Sequence, residues 1–203
     1  MTFKALKFAA AAAVLLATAG VAGAATVTFD SLTNPGIWQF TGDTYSEQGF
    51  SFAATARLNG YSLYAYGLEN PHNADPDGAT LHQEYDEGDR GIVASRAGGG
   101  SFTLTSFDLA NSWNDADGGT VSFDYVDAGG RHHQDLTLGT ETGLQTFTFN
   151  LSGLTSFSLW SNNYQLDNVQ VNAEVIAVPE PEPYALLLAG LAGLVGLSRR
   201  RKG

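Results

Sequence analysis

Residues 25–178 of this 203-residue chain predict an all-β fold, a two-sheet antiparallel β-sandwich. Three observations lead there. No window sustains apolar residues at i, i+3, i+4 and i+7, so an amphipathic helix has no support. Apolar residues instead alternate with Thr, Ser, Gln and Asn over short runs, the period of half-buried strands. Glycine pairs at 98–100, 118–119 and 129–130, with Asn-Gly at 59–60 and Asp-Gly at 77–78, punctuate the runs as turns.

The elements follow in order. Lys4 and Lys7 precede an apolar run from Phe8 to Gly20, and Ala22 and Ala24 supply an Ala-x-Ala cleavage site. This predicts a secretory signal peptide over residues 1–24, with Ala25 as the new N-terminus. The run has no polar face and is too short to span a bilayer comfortably. Strand signals then come at Val27/Phe29, Phe50/Phe52, Phe102/Leu104, Val121/Phe123/Tyr125 and Leu136/Leu138. They continue at Phe147/Phe149/Leu151, Phe157/Leu159 and Val169/Val171/Ala173/Val175. About ten strands in all suit a sandwich, and no constant repeat suggests a solenoid or propeller. Parity shifts between Leu104 and Phe107, and again between Leu166 and Val169. A bulge is therefore expected near Thr105–Ser106 and another at Asp167–Asn168. Glu69–Gly91 reads as the longest non-strand segment, with seven acids.

Composition narrows the function classes. A 43% hydrophobic, 11% aromatic chain can build a packed core. With 21 acids against 10 Lys+Arg, the chain lacks the basic clusters that phosphate recognition needs, so no nucleic-acid partner is expected. No cysteine is present, which excludes disulfides, thiolate metal sites and cysteine nucleophiles. Residues 25–178 keep Arg57, Arg90, Arg96 and Arg131 and no lysine against nineteen acids, a formal charge of −15. Such self-repulsion favours solubility.

The last residues form a composite signal. Pro-Glu repeats over Val178–Pro183 favour an extended backbone. Tyr184–Leu197 is apolar, and Arg199, Arg200, Arg201 and Lys202 follow. Fourteen helical residues would cover about 21 Å, short of a roughly 30 Å hydrocarbon core, which suits a transient anchor held back by basic residues. The alternative is a short anchor that is never cleaved. This three-part tail, residues 178–203, resembles the PEP-CTERM sorting signal of Gram-negative surface proteins. The resemblance is carried by Pro179, Glu180, Pro181, the short transmembrane helix from Tyr184, and Arg199, Arg200 and Arg201. It implies export through signal peptidase, processing by an exosortase-type membrane enzyme, and a role at the cell envelope surface or in the extracellular matrix, associated with exopolysaccharide and biofilm.

Candidate chemistry in the body is sparser. TVTFDSL (26–32) and QLDNVQV (165–171) are similar to the first and last strands of jelly-roll carbohydrate-binding modules, so the sandwich is expected to be jelly-roll-like. In that class those strands share a structural calcium, and the resemblance implies Asp30 and Asp167 as metal ligands here. Calcium needs six to eight oxygens, so other groups must contribute; the alternative is that Asp30 starts a turn and Asp167 marks a bulge. Within 69–91, Asp75 and Asp77 are spaced for a second calcium, but the twelve-residue loop pattern is incomplete and a solvated acidic loop is the leading reading. No other cofactor is expected. His72, His82, His132 and His133 lack the spacing of a catalytic zinc site, no nucleophile elbow or phosphate loop occurs, and no acid pair stands out, so no catalytic residue is named. Rings offer a sugar platform through Trp113, Trp160, Tyr64 and Tyr66, with Tyr61 as a further candidate. Trp38 is read as core or sheet-edge packing. The expected function is a non-catalytic surface or matrix protein that binds extracellular polysaccharide; the alternatives are a structural surface protein without a ligand and a secreted glycan-active enzyme.

Overall fold

A computed structural model describes residues 23–56, 62–84, 90–114, 116–161 and 164–173. Residues 1–22 of the signal peptide and the whole sorting tail, including Pro179, Glu180, Pro181, the helix from Tyr184 and Arg199–Arg201, lie outside the described residues.

Thirteen strands occur among them: β1 (Ala24–Val27), β2 (Trp38–Gly42), β3 (Thr44–Glu47), β4 (Phe50–Ala56), β5 (Ser62–Tyr66), β6 (Thr80–Glu84) and β7 (Arg90–Arg96). Then come β8 (Phe102–Ala110), β9 (Gly119–Asp127), β10 (Gly130–Leu138), β11 (Gln145–Leu154), β12 (Ser156–Trp160) and β13 (Gln165–Ala173). One sheet runs β11-β8-β13-β6-β5-β2, with β1 also on β13; the other runs β10-β9-β12-β7-β4-β3. Every pairing is antiparallel. The fold is the all-β, two-sheet sandwich that the alternation predicts.

The core lies between the sheets. The inward residues of alternating runs meet there: Phe52, Leu63, Leu81, Ile92, Leu104, Phe107, Phe123, Phe157 and Leu166 are fully buried or nearly so. Phe107 sits 5.5 Å from Phe123 and 5.8 Å from Phe157, ring centre to ring centre. Each such ring contributes about 1.5–3 kcal/mol through removal from water. The Tyr164 phenol is also buried, and both its hydrogen-bonding roles are used: it accepts from the Ile92 N–H and donates to the Leu159 carbonyl.

Both expected bulges are present. Against β13, Gln170 faces Ser106 while Val171 faces Leu104, leaving Thr105 as the extra residue of β8. On β13, Asp167 faces Asp108 and Gln170 faces Ser106, so the strand gains a residue at Asn168–Val169, with Asn168 left-handed at φ 48°. Asn tolerates that conformation better than other non-glycine residues.

The Glu69–Gly91 reading requires correction. It contains β6 and runs into the start of β7. Its alternation is masked because Gln83, a polar residue, takes an inward position and ties Nε2 to the Thr55 carbonyl, while outward His82 is stacked on Tyr66, centres 5.0 Å apart. β2, β3, β5 and β7 likewise carry no clean apolar alternation and were not among the strand signals.

Candidate functional site

β13 changes neighbours midway along its length. Leu166 pairs with Leu81 of β6, and from Val169 to Asn172 the same edge pairs with β1. The bulge at Asp167–Asn168 therefore stands where two strands meet end to end. The chain leaving β1 and the loop entering β6 both arrive there.

Phe29 turns the first of these. It adopts a left-handed backbone, φ 57°, and opens a 3-10 turn over Asp30–Leu32. That conformation costs roughly 1–2 kcal/mol for a bulky residue, which burial of its ring against Phe52 and Tyr45 offsets. The turn throws Asp30 out of the strand line. Tyr45 braces it, with its hydroxyl donating to Glu47 at 2.6 Å and lying 2.5 Å from Ser31 Oγ. Burial and Glu47 push that phenol up to about 12.

The loop 67–79 brings Asp75 and Gly78. A Cβ at Gly78 would lie 2.3 Å from Asp30 Oδ1 and 2.3 Å from Asp75 Oδ2, so only glycine fits between these two carboxylates. Asp75 thus joins Asp30, which departs from the reading of Asp75 and Asp77 as a separate site. Asp167 is 1% exposed. Its Oδ1 accepts the Asn168 N–H at 2.7 Å, and Asn168 Nδ2 bridges to Asp108 Oδ2 at 3.0 Å. Burial pushes the Asp167 carboxyl up to about 8; the Asn168 N–H opposes this, and the negative charges of Asp75, Asp30 and Asp108 add to it.

A divalent cation suits this donor set: hard carboxylate oxygens, a glycine-sized gap, and a buried acid whose charge has no counter-ion described beside it. Among the described residues no three acidic or imidazole side chains already stand at ligand distances around one point. A cation held there would have to draw Asp30, Asp75 and Asp167 inward, with carbonyl or water oxygens completing the shell.

The rings divide into three places. On the outer face of β2 and β5, Trp38 lies over Tyr66 at 5.6 Å and Phe40 over Tyr64 at 5.5 Å. Tyr66 is only 4% exposed, covered by Trp38 and His82, whereas Tyr64 is half-buried. Trp38 is 47% and Phe40 61% exposed, which corrects the core alternative for Trp38: it is a ring on an edge strand. Nothing in its sequence context separated Phe40 from core phenylalanines.

Trp113 stands at a loop tip, 55% exposed, edge-on to His72 at 4.8 Å. Its backbone is pinned: its N–H donates to Asn111 Oδ1 at 2.8 Å, and its carbonyl lies 2.9 Å from His72 Nδ1. Trp160 is far from both, on the outer face of the other sheet. Its indole lies flat on Gly91, where a Cβ would come within 2.7 Å of the ring, and Nε1 donates to Ser158 Oγ. Tyr61 lies outside the described residues.

Gln165 anchors the loops that carry His72 and Trp113. It points from β13 to the outer face yet is fully buried, because residues 72–74 and 111–112 close over it. Oε1 accepts from Thr80 Oγ1 at 2.6 Å and the Ala74 N–H at 3.1 Å. Nε2 donates to the carbonyls of His72, Asn111 and Ser112. The five large apolar side chains exposed among the described residues are Ile37, Trp38, Phe40, Leu68 and Trp113. They flank loop 67–73: Gly67 N–H and Asn70 Nδ2 both bond the Ile37 carbonyl, and His72 meets Trp113.

The remaining histidines have structural partners. His82 Nδ1 lies 3.0 Å from the Tyr164 carbonyl, and His132 is stacked on Tyr125 and bonded to Asp127. Asp124 is paired with Arg131 and His133. Burial opposes ionisation of Asp124, but hydrogen bonds from Arg131 and His133 outweigh it and hold the carboxyl below its usual range.

Comparison with solved structures finds only low similarities. The family 32 carbohydrate-binding module (CBM) of C. perfringens NanJ, in complex with galactose, is 12% identical over 66% of this chain and 99% of that one, with a TM-score of 0.39. A CBM4 structure is 13% identical over 74% and 86%, TM-score 0.27. The enzymatically active domain of bacteriophage CBA120 tailspike protein 4 is 10% identical over 63% and 20%, TM-score 0.34. None of these similarities bears on what this chain binds. No curated protein matches the chain significantly. Among the described residues no helix is long and apolar enough to cross a membrane. Residues 177–202 match the PEP-CTERM protein-sorting motif, so the chain carries an exosortase-type sorting signal and is an exported protein directed to the cell surface.

Proposed function

We propose that this protein is a non-catalytic, glycan-binding component of the surface or extracellular matrix of a Gram-negative bacterium, with its sandwich closed at one end by calcium. The observation that carries the glycan reading is the gathering of exposed rings around loop 67–73. Three aromatic rings held half in water give up burial worth roughly 1.5–3 kcal/mol each. Pyranose rings present apolar C–H faces that stack on such surfaces, and exposed apolar patches mark binding sites. Trp113, pinned through its backbone, offers its ring without an ordering cost. Asp30, Asp75 and Asp167 would hold the calcium, whose charge would relieve their repulsion and fix loop 67–79 against β13.

Affinity electrophoresis of the purified full chain through polysaccharide gels, with and without calcium, tests this. Retardation by a polysaccharide, weakened in Trp113→Ala while its melting temperature stays within about 2 °C of the parent, is the expected result, because an exposed ring contributes little to folding. Uniform mobility across a broad panel, including the host's own exopolysaccharide, would leave a structural surface protein without a ligand.

A further inference from the structure

The platform also has a charge and a shape. Three segments build it: residues 28–42, 62–79 and 111–114. None contains a lysine or arginine, and together they carry Asp30, Glu69, Asp75 and Asp77. Of the four arginines in residues 25–178, Arg131 is committed to Asp124 on the other sheet, and Arg96 Nη1 reaches the Ser101 carbonyl. An anionic polymer approaching the rings would meet no lysine or arginine within these segments. The amides of Asn70, Asn73 and Asn114 brace the loops beneath the rings rather than face solvent.

The shape is a row on an open face. Trp38 and Phe40 are two residues apart on one face of β2, about 7 Å along the strand, and β2 is the last strand of its sheet. Trp113 continues the patch beyond loop 67–73. Among the described residues no strand flanks β2 on its outer side, so a chain laid over this row lies along an open sheet edge.

Resting on the glycan reading above, we infer that the platform takes internal stretches of an extended, uncharged polysaccharide, and neither polyuronates nor chain ends. Neutral sugar units stack on Trp38, Phe40 and Trp113 in succession.

The test runs the full chain through gels of a neutral β-glucan and of a polyuronate, at low and high salt, with monosaccharide and hexasaccharide as competitors. Expected are retardation by the neutral polymer alone, insensitivity to salt, and competition by the hexasaccharide only. Trp38→Ala and Phe40→Ala should each weaken retention roughly fivefold or more, with melting curves confirming that both variants fold. Retardation by the polyuronate, salt-sensitive retention, or equal competition by the monosaccharide would overturn the inference and leave the glycan reading standing. Retardation by no polymer would remove both.

Discussion

Replacing Gln165 by leucine keeps the volume of the side chain and removes its amide. Three groups lose their partner at once: the carbonyls of His72 and Ser112 and the Ala74 N–H; the Thr80 hydroxyl keeps Asn73 Oδ1 and the Asn111 carbonyl keeps the Asn114 N–H. A buried polar group left unsatisfied costs about 1–3 kcal/mol. Ala74 is buried, but the loops are at the surface and can loosen to let water reach some of the carbonyls. With about two of the three remaining dry, and the leucine itself recovering some apolar burial, the net loss is about 2–4 kcal/mol. For a domain of this size each kcal/mol moves the melting temperature by roughly 2–4 °C, so Gln165→Leu should melt about 4–16 °C below the parent. The core is untouched, because Gln165 faces outward from β13. Far-UV circular dichroism should therefore show the same strand signal at 20 °C. Retention on the preferred polysaccharide should fall too, since Trp113 and His72 lose their common anchor. A shift under about 3 °C with retention unchanged would refute the reasoning, and would mean that the loops hold themselves.

Asp167 predicts a pH dependence with a definite sign. In chelator its folded pKa of about 8 stands above an unfolded value of about 3.9, so the native state binds the extra proton between them. Stability should fall as pH rises from about 4 to 8, Asp167→Asn should flatten that slope, and melts at pH 5 and pH 8 decide it; an equal slope in both proteins would exclude Asp167 as the source. Gly78→Ala puts a methyl between Asp30 and Asp75, so it should abolish any calcium-induced rise in melting temperature. A calcium titration followed by differential scanning calorimetry would show a persisting rise if those carboxylates are not the ligands. Gly91→Ala should lift the indole of Trp160 from β7, which tryptophan fluorescence would report as a red shift; an unchanged spectrum would place that ring elsewhere.

The sequence made some of this legible for reasons that are local. Parity of Phe102, Leu104, Phe107 and Leu109 gave the bulge at Thr105, because a period of two cannot be broken without an extra residue. Asp167-Asn168 was marked the same way. What stayed hidden depended on partners distant in the chain. Asp75 belongs beside Asp30 because β6 and β1 meet end to end along β13, a fact about pairing that no spacing records. Gly78 read as the second half of an Asp-Gly turn, although its bare Cα is what lets two carboxylates approach. β2 and β5 carry rings on the outward face, which inverts the usual alternation. Trp38 and Phe40 were therefore indistinguishable from core residues until the strand was known to lie at an edge.

The interior position of β13 has a consequence for how the chain folds. It is the last described strand, yet it sits between β8 and β6 and also holds β1. Until residues 165–173 are available, one sheet is two unconnected halves, and its contacts all span long stretches of chain. Such topologies fold slowly, since loop closure is completed before the pairing rewards it. For an exported chain this acts as a safeguard. The sandwich cannot lock while its C-terminal strand is still on the near side of the membrane, and it zips shut only when nearly the whole domain has crossed.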